Sequence, residues 1–371
     1  MSQKFLIIKE IFWNLSKVVL KNAPGNSQMV SPKIQKDIVQ CFAEQITQDI
    51  IQEIGHDVFG LLVDESSDVS DKEQMAVVFR FVDKNGIVKE RFIDLVHVKE
   101  TSALSLKSAI DSLFAKHGLS LKKVRGQGYD GAIGASCKRK DMIRESHRTK
   151  VNEEINSGEI NTGKGLNQDI TLQRPGNTRW GSHYKTLLRL TGLFSSVIDL
   201  QELNDRFDEI NSELLICMAS LSPADSFREF NMPNLVKLAE FYPDDFSFLE
   251  KVSLRHELSI YIDNLTKDDR FSNLTNLGDL AHLMVETKKH LSYPLVYKLL
   301  KLALILPVAT ATVERCFSGM KFVKTALRNR IGDQFLSNCL VCFIEKDIFQ
   351  TITNEILMDK FQKMKNRRIQ L

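Results

Sequence analysis

Apolar residues first recur at helical spacing between positions 28 and 56, where Ile34, Ile38, Val39, Phe42 and Ile46 share one face behind the pair Ser31-Pro32. A serine that can cap, followed by a first-turn proline, starts a helix, so a packing helix is expected there. After Gly55 the period changes. Positions 58–63 form an unbroken apolar run ending at Asp64, as in a strand buried on both faces. Two β-rich runs, 74–82 and 87–98, flank Asp83-Lys84-Asn85-Gly86, which predicts a hairpin. Helical spacing returns with Leu106, Ala109, Ile110, Leu113 and Phe114 and stops at Gly118, and 122–128 reads as a further strand ending at Tyr129-Asp130. The expected order is strand, strand, strand, helix, strand.

From 136 to 176 this patterning fails. Lys138-Arg139-Lys140 precedes a stretch rich in Asn, Gly and Glu with few apolar anchors, which predicts a disordered linker. Beyond Trp180 nearly everything has helical period, including 187–203, 214–221, 235–241 and 248–265. A last apolar block over 291–306 breaks at Pro307 and resumes with Val313, Cys316, Phe317 and Met320 on one face. A final helix carries Phe335, Leu336, Cys339, Leu340, Phe343 and Ile344.

Composition narrows the function. A chain of 371 residues that is 43% apolar can bury a large core. A net charge of +3 gives no global field for nucleic acid, so any such contact must come from local patches. The six cysteines are scattered, and the opening apolar run 5–8 stops at Lys9-Glu10, so no secretory leader and a reducing, intracellular setting are expected. No run approaches the roughly 18 apolar residues of a membrane span. Cys339 and Cys342 lie on an apolar helical face without a second pair, so they read as core rather than zinc ligands. Gly158 to Lys164 mimics a phosphate loop, but Gly165 stands where a hydroxyl is needed. No small-molecule substrate is evident.

Five stretches in order then resemble the hAT superfamily of transposases, with its zinc-finger MYM-type-like members. Leu61-Leu62-Val63-Asp64-Glu65-Ser66-Ser67-Asp68 resembles the first-strand acidic motif, and Gly128-Tyr129-Asp130-Gly131-Ala132 the fourth-strand motif. Ala311-Thr312-Val313-Glu314-Arg315-Cys316-Phe317-Ser318 resembles the glutamate helix. Asn177-Thr178-Arg179-Trp180 resembles a signature of the helical insertion, and Leu327-Arg328-Asn329-Arg330-Ile331 one just before the final helix. The resemblance implies an α/β fold: a ribonuclease-H-like mixed sheet interrupted by an all-helical insertion, with C-terminal helices completing the core. It implies that Asp64, Asp130 and Glu314 form a DDE-type site holding Mg²⁺ for DNA strand transfer, a reaction in which two metal ions clamp the attacking and leaving oxygens. Taken alone, an aspartate at a strand end is a turn or cap residue.

The resemblance divides the chain into an N-terminal helical segment (1–56), the first part of the core (57–135), a linker (136–176), a helical insertion (177–290), a dimerisation region completing the core (291–350) and a basic tail (351–371). Leu336, Leu340, Phe343 and Ile344 are the expected homodimer contacts, with packing inside the chain as the alternative. Lys321, Lys324, Arg328 and Arg330 are the expected nucleic-acid contacts, a solvated face being the alternative. Arg179, Trp180, Arg315, Phe317, Ser318 and Arg330 carry the family signature, and a nuclear location follows. Two departures matter. No Cys-x-x-His strand follows Asp130, which would leave the fourth strand at an exposed edge, and the insertion is short near 199–202. The expectation is therefore a domesticated, dimerising, catalytically degenerate transposase derivative. The alternatives are an active Mg²⁺-dependent transferase, or a scaffold or repressor without a DNA role.

Overall fold

The computed structural model describes residues 31–99, 103–129, 209–306 and 311–364. It opens on α1 (Pro32–Ile54), whose N-cap Ser31 accepts the Ile34 N–H and whose first turn holds the proline. There follow β1 (Phe59–Ser67), β2 (Glu73–Val82), β3 (Val88–His97), α2 (Ala103–His117) and β4 (Val124–Tyr129), the predicted order. The strands form one sheet in the order β3-β2-β1-β4, in which β1 pairs antiparallel with β2 and parallel with β4. β1 runs past Asp64, its expected end, because residues 64–67 still pair with 73–76 of β2. The expected linker, the 187–203 stretch, Arg179, Trp180 and Asp130 lie outside the described residues.

The helical region contains α3 (Glu209–Ala219), α4 (Met232–Glu240), α5 (Phe248–Leu265), α6 (Leu277–Glu286) and α7 (Pro294–Ile305). The chain then returns to the sheet with α8 (Ala311–Val323), α9 (Asp333–Ile344), α10 (Lys346–Thr351) and α11 (Asn354–Met364). Two hydrophobic clusters follow this division. One unites the sheet with α1, α2 and α8 to α11, and the other gathers α3 to α7. The expected region 291–350 is thus split, since α7 belongs to the helical cluster and α8 and α9 to the sheet cluster. The expected basic tail is also partly core: Leu357 and Phe361 of α11 are buried in the sheet cluster, where α11 packs on α1.

The clusters meet at two tight approaches. The β2–β3 hairpin tip rests on α6, where Gly86, at φ 79°, has backbone of Ala281 within 2.5 Å of where a Cβ would stand, and the Asn85 carbonyl lies 2.9 Å from His282 Nδ1. On the sheet face, Gly60 of β1 lies against the end of α7, and a Cβ there would stand 2.2 Å from the Ile305 carbonyl oxygen. Arg80 reinforces this contact by donating from Nε to the Leu304 carbonyl at 2.7 Å. Because the obstacle at Gly60 is backbone, Gly60→Ala should force α7 away from the sheet and destabilise the protein by about 1–3 kcal/mol. An unchanged urea midpoint would show that α7 is not held there.

Candidate functional site

The acidic motif sits where the sheet is best supported. Asp64 is 4% exposed, and its Oδ1 accepts the Glu65 N–H at 2.8 Å. Strand alternation places Asp64 on the same sheet face as Gly60, the face covered by α7 and α8. In the parallel pair β1·β4, Val63 lies opposite Tyr129, so the two motif-bearing strands end side by side. Glu314 belongs to the first turn of α8, which packs on β1 and β2. Val313, Cys316, Phe317 and Met320 drive that helix into the core, whereas Glu314, Arg315 and Ser318 are exposed.

The start of α8 is fixed from the sheet. Glu90 on β3 takes an ion pair from Arg80 and a hydrogen bond from Thr312 Oγ1, two residues before Glu314. Since Arg80 also holds the end of α7, one charged pair ties both helices to the sheet. A half-buried, paired guanidinium with several acceptors is a rigid clamp.

The far end of α8 is locked more deeply. Lys324 donates from Nζ to Asp68 Oδ2, and the two side chains are 1% and 0% exposed. Asp68 also accepts from the Ser70 N–H at 2.7 Å and from Gln74 Nε2 at 2.9 Å. Burial by itself would raise the Asp68 pKa, but the bonds from Lys324, Gln74 and Ser70, with the ammonium charge, outweigh it and hold the carboxyl below its ordinary value. This corrects the expectation that Lys324 contacts nucleic acid, because its charge is spent inside the fold. The sequence carried the signal: Lys324 extends the buried stripe Val313, Phe317, Met320 at helical spacing, and a lysine on such a stripe needs a buried acid.

The expected dimer contacts are also redistributed. Leu336 and Leu340 are 0% exposed, packed where α9 meets α1, α8 and β3, and so they are core residues of their own chain. The inner apolar face of α9 is covered by α1 and the sheet. Phe343 and Ile344 remain half-buried. Lys321, Arg328 and Arg330 are exposed. Burial pushes the Cys339 thiol up to about 12 and those of Cys316 and Cys342 up further, which suits core cysteines. Among the described residues no group of three or more His, Cys, Asp or Glu side chains could hold a metal ion, and of the expected triad only Asp64 and Glu314 are described.

Comparison with protein families decides the ancestry. The RNase-like domain of ZMYM1 and FAM200 matches residues 5–138, and the hAT family C-terminal dimerisation region matches 257–348. The chain derives from a hAT transposase. In this hAT derivative the mixed sheet is the RNase-like element, and α8 and α9, inside the dimerisation region, complete its core. No described helix is long and apolar enough to cross a membrane.

Removing one partner of a buried ion pair strands the other charge, so Asp68→Asn or Lys324→Met should each cost about 3–5 kcal/mol, and the double variant less than their sum. The contribution of Asp68 should be full above the ordinary carboxylate range and be lost as pH falls through its lower folded pKa, since the unfolded chain then binds the proton more readily. Urea unfolding of the four proteins against pH measures both effects, and additive single losses would dissolve the pair.

Proposed function

We propose that this hAT derivative acts as a dimerising protein in which strand transfer has been lost. The observation that carries the reading is the dimerisation-region match over 257–348, whose helices α8 and α9 are ordered into the sheet core. Loss of chemistry is supported from the sequence, where no Cys-x-x-His strand follows Asp130. Among the described residues the sheet ends at β4, beside a cavity of about 310 Å³ lined by 124–127 and 241–245, across which Arg125 pairs with Asp245. Metal-assisted transfer needs carboxylates held to within about half an ångström.

A second reading, an active Mg²⁺-dependent DNA transferase, is favoured by the register that sets Val63 beside Tyr129. In that reading Asp64, Asp130 and Glu314 supply the hard oxygen donors that Mg²⁺ takes. Basic residues of the exposed surface, including Lys321, Arg328 and Arg330, would meet the phosphates.

Two measurements on the full chain separate the readings. Sedimentation should give a dimer at roughly 10 µM, a concentration suited to ordinary protein association, and a monomer there would remove the dimerising half of the proposal. Supercoiled plasmid incubated with Mg²⁺ or Mn²⁺ should be nicked no faster by wild type than by Asp64→Asn or Glu314→Gln. Nicking that vanishes in both variants would establish the second reading instead.

A further inference from the structure

The buried state of Leu336 and Leu340 leaves open which surface of the dimerisation region meets a second copy. On the outer side of α9, Phe335, Cys339 and Phe343 follow one another at four-residue spacing, each half-buried. The end of α8 and the following 3₁₀ turn (Ala326–Arg328) lie beside this row. Phe322 stacks obliquely on Phe343 with ring centroids 6.3 Å apart, and Phe343 reaches the backbone of α8 so closely that a Cβ on Gly319 would stand 3.2 Å from its ring. Arg328 donates to the Phe322 carbonyl at 3.2 Å, holding the turn against the helix.

This packing does not hide the apolar surface. Phe322 is 50% exposed and Leu327 is 98% exposed, the most exposed large apolar side chain among the described residues. We infer that Phe322, Leu327 and Phe343 form the centre of the contact with a second copy of this chain, in place of the buried leucines of α9. The inference rests on the dimerising reading above and names its surface.

Three considerations favour this occupant. The patch lies wholly inside 257–348, the matched dimerisation region, and is continuous with α9. Of the other exposed large apolar residues of that region, Leu291 sits alone on a separate element and Ile260 is at the inner end of a face on α5. A second apolar face does exist on α5, with Phe248 80%, Leu249 75% and Val252 54% exposed, but these residues precede the matched region. Aromatic and aliphatic anchors at the centre with arginines at the rim is the usual composition of a contact hot spot, and Arg328 and Arg330 stand at this rim.

Leu327 touches so little of its own chain that Leu327→Asp should leave the fold intact, which makes it a clean test. Sedimentation of the full chain should show the dimer dissociation constant of Leu327→Asp raised at least roughly tenfold, and that of Phe322→Ser/Leu327→Asp raised further, with melting temperature near wild type. Phe248→Ser/Val252→Ser should leave it unchanged. A dimer untouched by the Leu327 variants, or one lost through the α5 variant instead, overturns this surface while the dimerising reading stands. Wild-type chain that stays monomeric overturns both. If Leu327→Asp weakens retention on duplex DNA and leaves the dimer intact, the patch serves nucleic acid and the inference falls.

Discussion

The buried pair Lys324–Asp68 is the constraint on which the geometry of the acidic motif depends. It joins the loop after β1 to the end of α8, elements more than 250 residues apart in the chain. Two ions moved out of water cost several kcal/mol each, and their attraction offsets that cost only when the geometry is good and further donors are present. Here Ser70, Gln74 and Lys324 surround the carboxylate. With Glu90 receiving Thr312 at the opposite end, α8 is fixed to the sheet at both ends, and its apolar stripe fixes its rotation. The position of Glu314 relative to β1 is therefore a property of the core rather than of a loop.

The helices of the dimerisation region also close one edge of the sheet. Among the described residues β3 is an outer strand, and the outward N–H groups of such a strand are open to another chain. Instead Phe92 donates to Glu345 Oε1 at 2.7 Å and Leu95 to Ser337 Oγ at 3.1 Å, both acceptors coming from α9 and the residue after it. Asp94 receives Ser337 and Lys116, and Arg91 pairs with Glu345 and Asp347. Glu345 is held above its ordinary pKa by burial, which the Phe92 N–H and Arg91 only partly offset. The seam is thus polar but closed, and it shields β3 without adding a strand.

Much of this was legible in the residues, for identifiable reasons. Periodicity located α1, the hairpin and α2, because each carries a helical or strand pattern with a cap or turn beside it. The limits of β1 were not legible, since Asp64 to Ser67 are polar and only pairing with β2 keeps them extended. By charge alone Lys324 belongs outside, and only its position on the α8 stripe places it inside. For Leu336 and Leu340 the alternative of packing inside the chain holds, and α1, which buries them, lies some 300 residues earlier in the chain. Long-range pairing is what a local pattern cannot contain.

These contacts constrain what can be separated in this protein. The sheet cluster contains side chains from α1, β1 to β3, α8, α9 and α11 together, so the region matched as a dimerisation module is not an appendage to a finished RNase-like core. Removing α9 would uncover the β3 edge and the inner face of α1 at once, and removing α8 would strand Asp68 without its cation. The inner stripes of the same two helices, Val313 to Lys324 and Leu336 to Val341, hold the fold, and only their outer sides are available to a partner. Both helices are needed for the chain to stay folded whatever its chemistry, which is a sufficient physical reason for the supports of the acidic motif to remain in place.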